Sequence, residues 1–418
     1  MKRRCLKRIM PKAPNKMPEL LAPARDQTSF TAAVDAGADA VYFGLGTLNM
    51  RINSKGIDIS QLPRIMDTAH AKQVKTYVAL NTIVYDSDMD ILDDLLEKIK
   101  SAGADAVIVW DPAVITKAVC LGIPIHISTQ ANISNIVSAR FYRDLGAKRA
   151  VLARELSVEQ IRQIKKGTDL EIEVFVHGAM CVSVSGRCFM SQFLSCRSAN
   201  RGDCIQPCRR EYTVTDKQSG QQLDISNGYV LSPKDICALA IIDELIDAGI
   251  DAFKIEGRNR SPEYIKTVVS AYREAIDAVG ENRFNRQLVE ELMSPLCRVY
   301  NRGFSSGFFL ARPGPLEFAK ADGSQATCRK IAVGRITNYF KKPKVAQAQV
   351  LSAPLQRGEV VQIHGPTTGV IEFKIAQLRT SGRRMINRIE KGQATFPCKA
   401  VVRANDILYK IVPAEGTE

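Results

Sequence analysis

Along the first 260 or so positions, apolar residues come in short continuous runs rather than in alternation. Eight runs stand out: PELLAPA, AVYFGL, KTYVALN, AVIVWD, IPIHIS, RAVLAR, EIEVFVHG and AFKIEG. Continuous runs suit parallel strands that are buried on both faces. Several open with the same phrase: GADAVYFG (37–44), GADAVIVWD (103–111) and GIDAFKIEG (249–257), with LGAKRAVLAR (145–154) as a looser copy. In each, a glycine ends a helix, where it takes the left-handed conformation cheaply. Helical patterns lie between most of the runs. ILDDLLEKIKSA sets Ile91, Leu92, Leu95, Leu96 and Ile99 at helical spacing, and SVEQIRQIKKG follows the sixth run. Eight strand–helix units in about 260 residues predict an α/β fold, a TIM-type (β/α)8 barrel. A doubly wound open sheet is the alternative. Residues 189–248 form a long interruption between the seventh and eighth strands and read as an insertion over one end of the barrel. Counted from Cys181, this cysteine-rich insertion spans about 181–248. The helix SPEYIKTVVSAYREAIDAV follows, with Ser261 as N-cap and Pro262 in its first turn. RQLVEELMSPLCRVY and the Gly/Pro-rich NRGFSSGFFLARPGP then close a first domain over 18–315.

From residue 328 the texture changes. VGRITNYF, KVAQAQVL, EVVQIHG, IEFKIAQL, ATFPCKAVV and ILYKIV are short alternating runs parted by turn residues. They predict a small C-terminal β-barrel over 328–413. Its segment PLQRGEVVQIHG is similar to domain 2 of translation elongation factors.

Charge points to a partner. The chain has 418 residues, a net charge of +14 and a pI near 9.3. Such a balance favours a polyanion, nucleic acid before an anionic membrane surface. Half of the excess sits in MKRRCLKRIMPKAPNK, which has seven Lys or Arg and no acid. It lacks the apolar core of a signal peptide, so residues 1–17 read as a basic, mobile arm. No apolar run reaches the roughly 18 residues of a membrane span. An odd set of 11 cysteines without a secretory signal argues against a disulfide framework and for a cytoplasmic protein.

Catalytic groups of such barrels come from the C-terminal ends of the strands. Those ends carry Asn81, Gln130, Arg154, His177, Glu256 and Arg258, with Asp111 and the stretch 45–53 nearby. The first six suit an anionic or amide-bearing small molecule. Cys181 lies just past the seventh strand; Cys188 follows after six residues, Cys204 after fifteen more and Cys208 after three more. Four thiolates in one region suit a 4Fe-4S cluster or a structural zinc. Only Cys204–Cys208 is a tight pair, which tilts the reading toward iron–sulfur without settling it. Cys237 is a spare that stands as an alternative ligand. Two motifs are decoys. GLGTLN (44–49) lacks the third glycine of a dinucleotide fingerprint, and GFSSG (303–307) matches a nucleophile elbow but follows a helical segment.

EVFVHGAMCVSVSGRCFMS resembles the signature of peptidase family U32, through Glu173, Phe175, Gly178, Cys181, Gly186, Cys188 and Ser191. PELLAPA, GADAVYFG, ISTQAN, GDCIQPCRREY, FKIEGRNRSPEY and NRGFSSGF are similar to the same family, so the resemblance spans about 18–310. The family name implies collagenase-like proteolysis. The resemblance also implies dioxygen-independent hydroxylation, with prephenate as hydroxyl source and a 4Fe-4S cluster on Cys181, Cys188, Cys204 and Cys208. One branch makes 5-hydroxyuridine at the tRNA wobble position, a second hydroxylates ribosomal RNA, and a third acts on a quinone ring as a two-protein complex. The close Cys204–Cys208 pair resembles the RNA-modifying branches. The expected partners are therefore tRNA and a small dicarboxylate, with a homo- or hetero-oligomer containing a second U32-like chain as an option and no membrane. In this scheme Arg154, Arg187 and Arg258 bind the two carboxylates of prephenate, because guanidinium binds carboxylate bidentately. Asn81 and Gln130 add polar contacts, and His177 or Glu256 moves protons.

Overall fold

A computed structural model describes residues 16–46, 48–51, 56–223, 228–321, 323–380 and 384–414. All but the last two residues of the basic arm lie outside the described residues. Seven strands alternate with helices: β1 (Glu19–Pro23), β2 (Ala40–Gly44), β3 (Lys75–Leu80), β4 (Ala106–Val109), β5 (Ile125–Ile127), β6 (Ala147–Val151) and β7 (Glu171–Gly178). The helices between them are α1 (Gln27–Asp35), α2 (Leu62–His70), α3 (Met89–Ser101), α4 (Pro112–Cys120), α5 (Ile136–Asp144) and α6 (Val158–Gly167). The insertion holds α7 (Met190–Ser195) and β8 (Asp235–Cys237); α8 (Ile242–Asp247) then leads into β9 (Ala252–Ile255), α9 (Pro262–Gly280) and α10 (Arg286–Arg298).

Each of the eight apolar runs supplies one barrel strand. Neighbours pair in parallel from β1 to β7, and β9 is hydrogen-bonded in parallel to both β7 and β1. That double pairing closes the barrel and excludes the open-sheet alternative. Helix starts follow local chemistry: Asp26, Asp111, Asn135 and Ser157 each accept a backbone N–H of the first turn. Asp111 is thereby occupied in capping α4. Ser261 departs from expectation. It stands at the N-cap of α9 but makes no capping bond, because its hydroxyl bonds the Glu263 carboxylate two residues on.

The helices bury their apolar stripes on the outside of the barrel. Part of the interior is a small apolar group, Leu21, Ala40, Tyr42, Tyr77, Ala79, Ala106 and Ile108. The rest is ionic. The fully buried Glu173 of β7 accepts from Lys254 of β9 at 2.8 Å and from Arg149 of β6 at 3.3 Å. Arg149 also reaches Glu19 of β1 at 2.6 Å and Glu171 of β7 at 2.8 Å. These contacts span β6, β7, β9 and β1, the strands on either side of the closing seam.

After the short β10 (Phe304–Ser305) come β11 (Cys328–Phe340), β12 (Val345–Val350), β13 (Leu355–Gln356), β14 (Val360–Gly365) and β15 (Gly369–Lys374). The chain ends with β16 (Arg379–Thr380), β17 (Arg388–Ile389), β18 (Gly392–Pro397) and β19 (Ile407–Pro413). Seven of these form an antiparallel sheet in the order β15-β14-β19-β11-β12-β18-β16, and β13 pairs with β17. Alternate residues from these strands meet in one core around Val333, Ile363, Phe396 and Leu408. The sheet thus wraps its own core as the alternating pattern predicts, but among the described residues β15 and β16 do not pair, so no hydrogen-bonded seam closes it. The unit docks on α1 and α9. Thr31 donates to Pro366 O at 2.6 Å, Lys266 to Val370 O at 2.6 Å, and Lys330 pairs with Glu263 at 2.7 Å.

Removing Glu173 leaves the Lys254 ammonium buried without its carboxylate, while Arg149 keeps Glu19 and Glu171. Glu173→Ala is expected to cost about 3–5 kcal/mol in unfolding free energy, and Lys254→Met with Glu173→Gln together to cost less than the sum of the single changes. Urea unfolding of Glu173→Ala, of the two single variants Lys254→Met and Glu173→Gln, and of their double checks this.

Candidate active site at the C-terminal end of the barrel

The site begins with a glycine. Gly178 ends β7 at φ +105°, and a Cβ there would meet the Glu256 carbonyl oxygen at 2.7 Å. Only glycine lets β7 leave the barrel this close to the end of β9. The chain then runs into the insertion, and β8 returns antiparallel on the tip of β7, with His177 opposite Cys237. As a result Cys181, Cys188, Cys204 and Cys208 line a single cavity over the barrel mouth.

Local donors hold these thiols. Cys181 Sγ lies 2.9 Å from Ser183 Oγ, Met190 N donates to Cys188 Sγ at 3.3 Å, and Ser191 Oγ faces Cys204 Sγ at 3.8 Å. Burial raises the Cys208 thiol; Arg209 opposes this, and the three other cysteines push it further up. All ten described cysteines are free of disulfides. Among the described residues, no group of three or more Cys, His, Asp and Glu gathers closely enough to hold a metal ion. Four thiols on one cavity are the donor type and number that a 4Fe-4S cluster or a structural zinc would use. The donor set therefore fits the implied cluster. Cys237 is not brought to the cavity. It donates to Met293 Sδ at 3.7 Å, and burial pushes its thiol up to about 11.

Beneath the cavity lies a smaller pocket in the barrel mouth, lined by Asn81, Gln130, Arg154, Glu256 and Arg258 among others. Five of the residues singled out in the sequence thus meet. Asn81 Nδ2 donates to Ser128 Oγ and Gln130 Oε1, both at 3.3 Å. Arg154 donates to Ala179 O at 2.7 Å and lies over the Phe175 ring at 4.0 Å. Arg258 donates to Asn49 Oδ1 at 3.3 Å, so GLGTLN serves to seat an asparagine rather than a dinucleotide. Burial brings the Arg258 guanidinium down to about 10. Burial alone would raise Glu256, but Arg51, Arg260, Arg154 and Arg258 outweigh it and hold the carboxyl below its usual range.

Two candidates lie elsewhere. Arg187 is exposed, with its guanidinium 5.6 Å from the Trp110 ring centre. His177 is buried among Tyr264, Tyr272 and Phe304, with Nδ1 3.4 Å from Tyr272 Oη, and it borders neither the cavity nor the pocket. Burial and Arg260 lower its pKa to about 3, against a smaller upward pull from Glu256. Sequence reasoning covered Arg51, which bonds Glu256 Oε1 at 3.3 Å, only as part of the stretch 45–53, and missed Lys254, whose ammonium lies 4.4 Å from the Tyr42 ring centre. A lysine inside the otherwise apolar AFKI was the available signal for Lys254. The GFSSG elbow is not one: Ser305 lies in β10 beside β8 and accepts from Gly307 N at 3.0 Å.

A closed parallel barrel whose C-terminal mouth is roofed by a four-cysteine insertion defines the class of protein. The chain belongs to peptidase family U32, whose profile matches residues 25–317. A protein named collagenase from Porphyromonas gingivalis strain W83 is 41% identical over 406 residues, covering 94% of this chain and 97% of its own. The Bacillus subtilis tRNA hydroxylation protein P1 is 35% identical, covering 84% of each chain. The Escherichia coli 23S rRNA 5-hydroxycytidine synthase is 38% identical over 71% of this chain and 46% of its own.

His177 carries a pH signature. The unfolded chain protonates it near pH 6.5 and the folded chain only near 3, so its burial costs stability progressively as pH falls through that window. His177→Phe is expected to remove about 2 kcal/mol of the stability difference between pH 7 and pH 5. Urea midpoints of both proteins at the two pH values measure this.

Proposed function

We propose that this protein hydroxylates RNA, converting the tRNA wobble uridine to 5-hydroxyuridine with prephenate as hydroxyl donor and a 4Fe-4S cluster on Cys181, Cys188, Cys204 and Cys208. The observation that carries the reading is the gathering of these four cysteines, from separate segments of the insertion, round one cavity that opens above an arginine-rich pocket. Relatives named for tRNA and rRNA hydroxylation, 35% and 38% identical, support RNA as the substrate class, as does the net charge of +14.

Held by Cys181, Cys188, Cys204 and Cys208, a 4Fe-4S cluster would supply redox-active, Lewis-acidic iron at the cavity. The chain's own residues supply the rest. Arg154 and Arg258 offer guanidinium groups to the carboxylates of the donor. Asn81, Ser128 and Gln130 form a hydrogen-bonded amide–hydroxyl patch that orients a polar group beside them. Glu256, kept ionised by Arg51, accepts rather than donates a proton at neutral pH.

The collagenase relative favours a second reading, peptide hydrolysis. A cysteine nucleophile needs a base beside it. None of the four histidines lines the cavity: His70 pairs with Asp105, His126 lies inside the barrel beside Tyr77, His177 is buried behind the wall, and His364 packs on Tyr409 in the C-terminal unit.

Anaerobically purified protein is expected to hold about four iron and four sulfide per chain, lost in Cys181→Ala. With tRNA and prephenate it should form 5-hydroxyuridine, read by nucleoside mass spectrometry. Arg258→Ala should raise the prephenate concentration needed by roughly 10-fold or more; unchanged prephenate use would remove Arg258 from the donor site. Zinc in place of iron, or peptide cleavage by cluster-free protein, would favour the peptidase.

A further inference from the structure

The outer face of the insertion is unusual for a folded surface. Phe193 is 84% exposed and Phe189 62% exposed. Their rings lie 6.0 Å apart with a tilt of 38°, side by side at the start of α7. Leaving two phenylalanine rings in water forgoes the burial that ordinarily places them inside. The pair stands at the cavity rim, because Phe189 is flanked in the chain by Cys188 and Met190, both of which line the cavity.

The segment that carries the rings is basic, and it also exposes Val184 and Leu194. Residues 181–213 contain five arginines and two acids. Two of these arginines lie against further aromatic rings. Arg187 lies over Trp110 at 5.6 Å, and Arg201 over the exposed Tyr85 at 4.7 Å. Both are next in sequence to residues that line the cavity, Cys188 and Gly202. A protein partner asks for an apolar face with charges at its rim. Exposed rings on a basic segment, with Arg187 on Trp110 and the Asp88-paired Arg201 on Tyr85 further along it, instead match unpaired nucleotides, whose bases stack on aromatics and arginines while the phosphates meet positive charge.

We infer that Phe189 and Phe193 form a stacking platform for unpaired bases of an RNA loop, which presents the next nucleotide to the cysteine-lined cavity. The inference rests on the RNA-hydroxylating reading and adds to it the surface that selects a loop over a duplex. It assigns Arg187 to the substrate side of the cavity, beside the phosphates, rather than to the donor pocket.

Binding of two RNA probes to the full-length protein tests this without turnover. The probes are an anticodon stem–loop hairpin and a blunt duplex of the same stem. In the wild type, the hairpin should bind tighter than the duplex. Phe189→Ala with Phe193→Ala should weaken the hairpin roughly 10-fold or more and leave the duplex unchanged, with unchanged iron content as the control for folding. Phe193→Trp should keep hairpin affinity, because the larger ring also stacks. Equal hairpin binding by the double alanine variant and the wild type overturns the platform, while the hydroxylase reading stands if that variant still forms 5-hydroxyuridine. Loss of self-association in the variant at constant RNA affinity assigns the patch to a second copy and overturns the proposal. If the wild type binds neither probe, the RNA reading itself fails.

Discussion

The closure of the barrel depends on one buried carboxylate. Glu173 has no access to water, and its charge is tolerable only because Lys254 and Arg149 reach it from the strands on either side. Arg149 continues to Glu19 on β1, so the network runs across the seam where the last strand meets the first. A buried ion network has one arrangement in which every charge is met, and each strand must be in place to complete it. Register at the seam in turn sets where Gly178, Glu256 and Arg258 stand at the other end of the same strands.

The polar interior carries upward into the site. Lys254 lies between the Glu173 carboxylate and the Tyr42 ring, and Tyr42 lines the pocket with Arg258. In that pocket Arg51, Arg154 and Arg258 face the single carboxylate of Glu256. An excess of positive charge among buried side chains is costly unless an anion joins it. The same logic holds at the roof, where four thiols are gathered without a histidine or a disulfide to occupy them.

Much of this was legible because the signals are local. A buried parallel strand is a continuous apolar run, and each of the eight runs became one strand. The cysteines were visible as a group because all four lie within 28 residues, 181–208. What failed to read did so for stated reasons. Ser261 stands where a capping serine should, but Glu263 is near enough to take its hydroxyl. His177 ends a barrel strand like a catalytic residue, yet β8 and the rings of Tyr264 and Tyr272 bury it. Arg51 belongs to the loop after β2 and meets Glu256 across 205 positions of sequence.

The sequence by itself determined the barrel, the alternating C-terminal sheet, the cysteine set and the sign of the charge. Each of these is a property of residue type and of spacings short enough for strand and helix periodicity to express. Tertiary structure alone decided which charges compensate one another, which strand-end residues face the cavity, and that two phenylalanines stay in water beside it. Those outcomes depend on contacts between segments far apart in the chain, and only closure of the barrel and the return of the insertion across its mouth bring such segments together.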